Sequence, residues 1–175
     1  MACPRALSQI RSLVGAVDGA HFYSCFISYS TKDKLFADQL YARMQEVHLR
    51  VWYAPQGLQG GKKAHEQIET AIRSHDKLLI VLSKASLRSE WVMKELRKAF
   101  ETERWSRKRK LFPVRLTDYR SLKKWECHDS KSGRDLAEEL RQYFIPDFSN
   151  WKDRDQFEVA FSRLLKDLRA EERAK

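Results

Sequence analysis

The sequence predicts an α/β domain, a parallel sheet of five strands covered on both faces by helices. Short runs rich in aromatic and β-branched residues alternate with amphipathic stretches of helical length. The run Leu78–Leu82 is apolar throughout, as expected of a strand buried on both faces. Strand, helix, strand succession implies right-handed crossovers, and five strands of this length fit a flavodoxin-like order, 2-1-3-4-5.

The elements follow in chain order. Phe22–Ser28 reads as the first strand and Tyr29-Ser30-Thr31 as a polar loop. Asp33–Glu46 reads as a helix, with Phe36, Leu40 and Met44 on one face. Leu49–Tyr53 is a second short strand. Ala54–Gly61 carries one Pro and three Gly in eight residues, a turn signal. Lys62–Ser74 is a helix with Ile68 and Ile72 on one side, and Leu78–Leu82 is the third strand. The next helix runs from Glu90 to about Arg104, with Ser89 as N-cap and Glu90 suited to the helix dipole. Leu111–Leu116 is the fourth strand, after the basic run Arg107–Lys110. Thr117–Ser132 reads as irregular, and Gly133–Tyr143 as a helix. Phe144-Ile145-Pro146 is a short edge strand, since Pro does not sit in a central one. A final amphipathic helix spans Trp151 to about Glu171, with Phe157, Phe161, Leu164, Leu165 and Leu168 as its stripe.

Composition narrows the function classes. The 175 residues have the length of one domain, enough to bury about two-thirds of the unfolded surface. Residues 1–20 read as an arm or linker, with a weak apolar centre broken by Gly15 and Asp18, unlike a secretory signal. Residues 21–172 form the domain. No apolar run approaches the roughly 18 residues of a membrane span. Cys3, Cys25 and Cys127 lack paired spacing, which points to the cytoplasm rather than to a disulfide framework or a zinc site. No metal set is visible. The net charge of +10 fits a nucleic acid, an anionic surface or a polyanionic dinucleotide, and does not choose among them.

Several constellations fall away. The first strand leads into Ser28-Tyr29-Ser30-Thr31-Lys32 without a glycine, so no dinucleotide or Walker loop is present. Gly57, Gly60 and Gly61 do not form a phosphate cradle. Gly-x-Ser-x-Gly is absent, and Cys25 in mid-strand reads as packing rather than as a nucleophile. The run Arg104-Trp-Ser-Arg-Lys-Arg-Lys110 interleaves one aromatic with five basic residues. It reads first as a solvated helix end and second as a nucleic-acid contact. Trp91 and Glu95 share a helix face at spacing i,i+4, just past the carboxyl end of the third strand. Local pattern alone makes Glu95 a surface ion pair with Lys98 and Trp91 a core residue.

The ordered set of motifs changes that balance. Phe26-Ile-Ser-Tyr-Ser-Thr-Lys-Asp33, Val51-Trp-Tyr53, Leu58-Gln-Gly-Gly-Lys62, Val81-Leu-Ser83 and Ser89-Glu-Trp-Val-Met-Lys-Glu-Leu96 together resemble a Toll/interleukin-1 receptor (TIR) domain of the bacterial type. The match runs from about Tyr23 to Phe100, with Phe112-Pro-Val-Arg115 and the last helix fitting less specifically. The resemblance implies the five-stranded parallel fold. It also implies an NAD+ glycohydrolase, because many bacterial and plant members cleave the nicotinamide–ribose bond with the glutamate of a W-x-x-x-E motif. Here that motif is Trp91 and Glu95, with Glu95 catalytic. By the same matching Trp91, Tyr29, Ser30, Trp52 and Ser83 contact substrate. The turn Ala54–Gly61, with Pro55, Gly57, Leu58, Gly60 and Gly61, corresponds to the family's assembly loop. Ala54 stands where an acidic residue often follows the second strand, and Ser30 and Thr31 stand where some members have Arg.

One carboxylate suffices for that chemistry. The nicotinamide leaving group is already cationic and departs neutral, so it needs no general acid. The carboxylate stabilises the oxocarbenium-like ribose or orients its hydroxyls. The expected partners are NAD+ as substrate, with no cofactor, other TIR domains on activation, and an upstream sensor. The setting implied is bacterial immunity or signalling. A non-catalytic TIR–TIR scaffold is the second reading, and a nucleic-acid-binding basic domain the third.

Overall fold

The computed structural model describes residues 24–53 and 64–170. The N-terminal arm with Phe22 and Tyr23, the turn containing Pro55, Gly57, Leu58, Gly60 and Gly61, Lys62 at the expected start of the second helix, and Glu171 lie outside the described residues.

Four parallel strands form the sheet: β1 (Ser24–Ser28), β2 (Arg50–Tyr53), β3 (Lys77–Leu82) and β4 (Leu111–Arg115), in the order β2-β1-β3-β4. Phe26 sits opposite Trp52 on one side and Leu78 on the other, and Ser28 opposite Ile80. This is the flavodoxin-like arrangement the alternation predicts, with every residue of β3 buried. The helices are α1 (Lys34–Glu46), α2 (Ala64–Ser74), α3 (Glu90–Ser106), α4 (Tyr119–Lys124), α5 (Leu136–Leu140) and α6 (Arg154–Ala170).

Alternation along the strands sorts the core into two layers. Cys25, Ile27, Leu79, Val81, Phe112 and Val114 face α1 and α6, where Phe36, Leu40, Met44, Phe157, Phe161 and Leu164 meet them. Phe26, Leu78, Ile80, Leu82 and Leu111 face α2 and α3, meeting Ile72, Val92, Leu96, Ala99 and Phe100. Lys77 is buried where β3 begins. Its ammonium donates to the Leu168 carbonyl, near the end of α6, and lies 4.9 Å from the Phe112 ring centroid. A cation suits the last carbonyls of a helix.

Four expectations are corrected. The fifth strand is reduced to a single parallel bridge between Arg115 and Asp147. The Pro146 carbonyl accepts from Arg115 N–H at 3.0 Å, but Pro146 has no N–H with which to continue the ladder. The helix expected over Gly133–Tyr143 shrinks to α5. Gly133 adopts φ +67°, Arg134–Asp135 pair with His128–Asp129 as strands β6 and β5, and Asp135 caps α5 by accepting from Ala137 N–H. The stretch expected to be irregular contains α4, capped by Asp118, which accepts from Ser121 N–H. The last helix begins at Arg154 rather than Trp151, after a turn in which Asp153 accepts from Gln156 N–H.

Glu103 fixes the far end of α3. One carboxylate oxygen accepts from the N–H groups of Lys110 and Leu111 at 2.6 and 2.7 Å, and the other accepts from the Tyr143 hydroxyl. One side chain thus ties α3 to the start of β4 and to the segment after α5. Glu103→Ala leaves three donors without this acceptor. Denaturant titration is expected to show a loss of about 2–4 kcal/mol, since bonds to a charged group contribute more than neutral ones.

Candidate active site

The carboxyl end of the sheet is assembled from the loops after β1 and β3. Ser28 is the last residue of β1 and shares its face with Phe26, so its side chain points to the α2/α3 layer. Beyond β3 the chain makes a tight polar turn. Ser86 Oγ accepts from Ser83 N–H at 2.7 Å and donates to the Ser83 carbonyl at 3.1 Å. Ser83 Oγ accepts from the N–H groups of Ala85 and Ser86, and donates to Asp33 at 2.5 Å. Asp33 closes a 3-10 turn, Thr31–Asp33, which follows the first loop. One serine hydroxyl therefore locks the two loops together and sets where α3 begins.

Glu95 lies on the second turn of α3 and is 4% exposed. Its Oε2 accepts a hydrogen bond from Ser28 Oγ. Burial pushes the carboxyl up from 4.5 to about 8, and the Ser28 bond opposes that rise. Lys98, the ion-pair partner that local spacing offered, lies 4.0 Å from Glu101. Glu95 is thus an interior carboxyl at the carboxyl end of the central strands, where open α/β sheets bind ligands.

The other expected site residues divide between the two faces. Trp91 is half-buried one helical turn before Glu95 and packs on the same layer. Trp52 belongs there too, its ring 4.7 Å from Phe26 and stacked on His75 at 5.7 Å. Tyr29 does not join them. It packs against the opposite layer, 5.8 Å from Tyr53, and its buried hydroxyl has no hydrogen-bond partner among the described residues. Burial, then the nearby Tyr53 and Asp38, push its phenol well above the usual range. Ser30 is half-buried, and its carbonyl accepts from Asp33 N–H at the 3-10 turn. Ser83 is spent on the loop lock. Two residues not singled out from the sequence enter here: Ser28, which shares Phe26's parity along β1, and Asp33.

A family model for the TIR domain matches residues 25–165. The chain belongs to the TIR family. No curated protein matches this TIR domain in sequence. Among solved structures it is similar to the TIR domains of the activated Roq1 resistosome that recognises the pathogen effector XopQ. That match has 20% identity and a TM-score of 0.64, and covers 83% of this chain and 99% of the other. It is also similar to the TIR domain of the Toll-related receptor TRR-2 from Hydra magnipapillata, at 17% identity and a TM-score of 0.59, covering 84% and 98%. A third likeness is to a metazoan TIR-STING receptor from C. gigas in complex with 2',3'-cGAMP. It has 20% identity and a TM-score of 0.55, and covers 83% of this chain but 41% of that one. At these identities the likenesses show the shared fold.

Other features of this TIR domain are structural or lie apart from Glu95. Burial pushes the Cys25 thiol up to about 12 and the Cys127 thiol up to about 11, which suits packing rather than nucleophilic chemistry. In the basic run, Arg104 pairs with Glu139 at 3.1 Å, Arg109 lies over Phe112 and Tyr143, and Lys110 donates to the His75 carbonyl at 2.6 Å. Three of the five cations are thereby engaged within the domain, which weakens the nucleic-acid reading. A groove of about 440 Å³ runs along the β4 side, lined by Phe144, Pro146, Asp147, Val159 and Arg163 among others. It is remote from Glu95 along the fold and contains no comparably buried acid. Among the described residues no helix is long and apolar enough to cross a membrane, and no cluster of His, Cys, Asp and Glu is placed to hold a metal.

Glu95 makes stability depend on pH. The folded carboxyl holds its proton up to about 8, whereas the unfolded one releases it near 4.5. The folded state therefore loses stability as pH rises through that window, and the loss is complete above about 8. At ~1.4 kcal/mol per unit the ceiling is about 5 kcal/mol. Glu95→Gln has no such dependence. Its unfolding free energy relative to wild type is expected to rise between about pH 5 and pH 9 in denaturant titrations; a constant difference contradicts the buried carboxyl.

Proposed function

We propose that this TIR domain is an NAD+ nucleosidase. It would cleave the nicotinamide–ribose bond to release nicotinamide with ADP-ribose or a cyclic isomer of it. The observation that carries the reading is Glu95: a buried carboxyl at the ligand end of the sheet, one helical turn from Trp91, with no described cation beside it. An interior carboxyl with no cation beside it among the described residues invites a positively charged ligand, and the nicotinamide ring of NAD+ carries that charge.

The chemistry follows from charge. The C–N bond breaks with its electron pair moving to the ring nitrogen, so nicotinamide leaves neutral and positive character moves to the ribose. Glu95, ionised in the presence of the cation, stabilises that developing charge. Water, or a nitrogen of the adenine, then attacks the anomeric carbon, and the attacking atom loses a proton in the water case. Trp91, one helical turn from Glu95, would supply an aromatic wall, and Trp52 shares its layer while stacking on His75. Lys84 and Arg88, exposed on the loop leading into α3, place positive charge near a diphosphate's approach.

In this reading the domain works in the cytoplasm, in a bacterial immune or signalling response, and is activated by self-association. The family resemblance and the resistosome likeness support assembly, and the free buried thiols of Cys25 and Cys127 suit a reducing compartment. The scaffold reading draws on the exposed apolar side chains Trp105, Phe144 and Val159, which give a partner surface without chemistry.

Chromatographic product analysis after incubation with NAD+ distinguishes the two. Wild type is expected to release nicotinamide, with activity per molecule rising with protein concentration. Glu95→Gln is expected to lose at least about 100-fold of that rate with the fold intact, the scale seen when one transition-state electrostatic contact is removed. Undiminished release by Glu95→Gln sinks the assignment. No release by crowded wild type favours the scaffold.

A further inference from the structure

We propose that Ser28 is a positioning residue for this reaction: it holds Glu95 by one carboxylate oxygen and leaves the other oxygen to the substrate. The proposal rests on the reading of Glu95 as the carboxylate that meets the nicotinamide riboside.

Three buried or strongly engaged carboxyl groups of this domain show the contrast. Asp129 accepts from Lys131 N–H, Ser132 N–H and the Ser132 hydroxyl, and pairs with Arg97. Glu103 takes two backbone N–H groups and a phenol. Both use both oxygens, as structural carboxylates do, since each offers about four lone-pair sites. Glu95 differs. Among the described residues its partner is Ser28 alone, at Oε2. Among the described residues, burial and that hydroxyl act on its protonation, and no described charged group adds to them.

Ser28 is 4% exposed, just after the buried apolar residues Cys25, Phe26 and Ile27 of β1, and an unpaired hydroxyl there would cost free energy. It donates, so it favours the ionised form of its partner. Anchored at Oε2, the carboxyl presents Oε1 as its acceptor for a ligand. Backbone register fixes Ser28 opposite Ile80 on β3, the strand whose loop launches α3. The sheet therefore sets the donor directly and, through the loop after β3, the start of the helix that carries the acceptor, so the carboxylate is aimed before substrate arrives.

The test compares wild type, Ser28→Ala, Ser28→Thr and Glu95→Gln. It uses pH profiles of nicotinamide release from NAD+ and 13C-carboxyl NMR titration of the unliganded protein. Ser28→Ala is expected to move the acid limb of kcat/KM upward by about one pH unit, a roughly tenfold loss on the acid side that recovers at high pH. The Glu95 carboxyl resonance is expected to titrate higher by a similar amount. Ser28→Thr retains the hydroxyl and restores both. A Ser28→Ala protein with an unchanged profile, or a uniform loss at every pH, overturns the proposal while an inactive Glu95→Gln leaves the assignment of Glu95 standing. Release that persists in Glu95→Gln, or is absent in wild type at every pH, overturns both. An unshifted Glu95 resonance in Ser28→Ala overturns the Ser28–Glu95 coupling, whatever the activity.

Discussion

A carboxyl group kept in the interior with one hydroxyl as its partner is unfavourable by itself, and the architecture around it is what makes it tolerable. Glu95 opposes folding wherever it must ionise. The two apolar layers on either side of β3 supply the compensating burial. α3 is pinned at both ends, by the Ser83–Ser86 turn before it and by Glu103 near its C-terminus. Between those anchors Val92, Leu96, Ala99 and Phe100 bind the helix to the sheet, and Glu95 on the same helix is buried with them. Stability given up at a ligand-binding position and recovered elsewhere is the common pattern of functional sites.

The fold was legible because its signals are redundant. Each of the four sheet strands has a short apolar centre rich in aromatic or β-branched residues, and each long helix carries a stripe that survives errors of a residue or two at its ends. The stretch from Thr117 to Pro146 was not legible for the opposite reason. Its structure rests on single side chains acting locally: Asp118 and Asp135 as caps, Asp129 gathering a loop, Gly133 at positive φ, and Pro146 cutting a ladder to one bridge. Hydrophobic periodicity carries none of that information. Asp135 as an N-cap is incompatible with a helix already under way from Gly133, so the helix starts at Leu136.

The site divides in the same way. Trp91 with Glu95 follows from helical spacing, but the burial of Glu95 does not. Near Lys98, a glutamate has the local pattern of a surface ion pair, and only the sheet packed against α3 makes it interior. Tyr29 shows the limit of reading a loop from a motif. Strand parity carries it to the face opposite Glu95, while the same parity brings Ser28 to Glu95 from Phe26's side. That parity is visible in the sequence, one residue before Tyr29. The lock between Ser83 and Asp33 joins residues 50 positions apart and had no sequence signal.

The central claim is that Glu95 waits, largely protonated near neutral pH, for a cation to ionise it. Calorimetry of binding to an uncleavable NAD+ analogue, its ribose ring oxygen replaced by methylene, tests this most directly. Measured at pH 7 in buffers of different ionisation enthalpy, wild type is expected to release about one proton on binding the oxidised analogue and almost none on binding its neutral, reduced-ring counterpart. Glu95→Gln is expected to release none. Wild-type binding without proton release, or equal release by Glu95→Gln, contradicts the account.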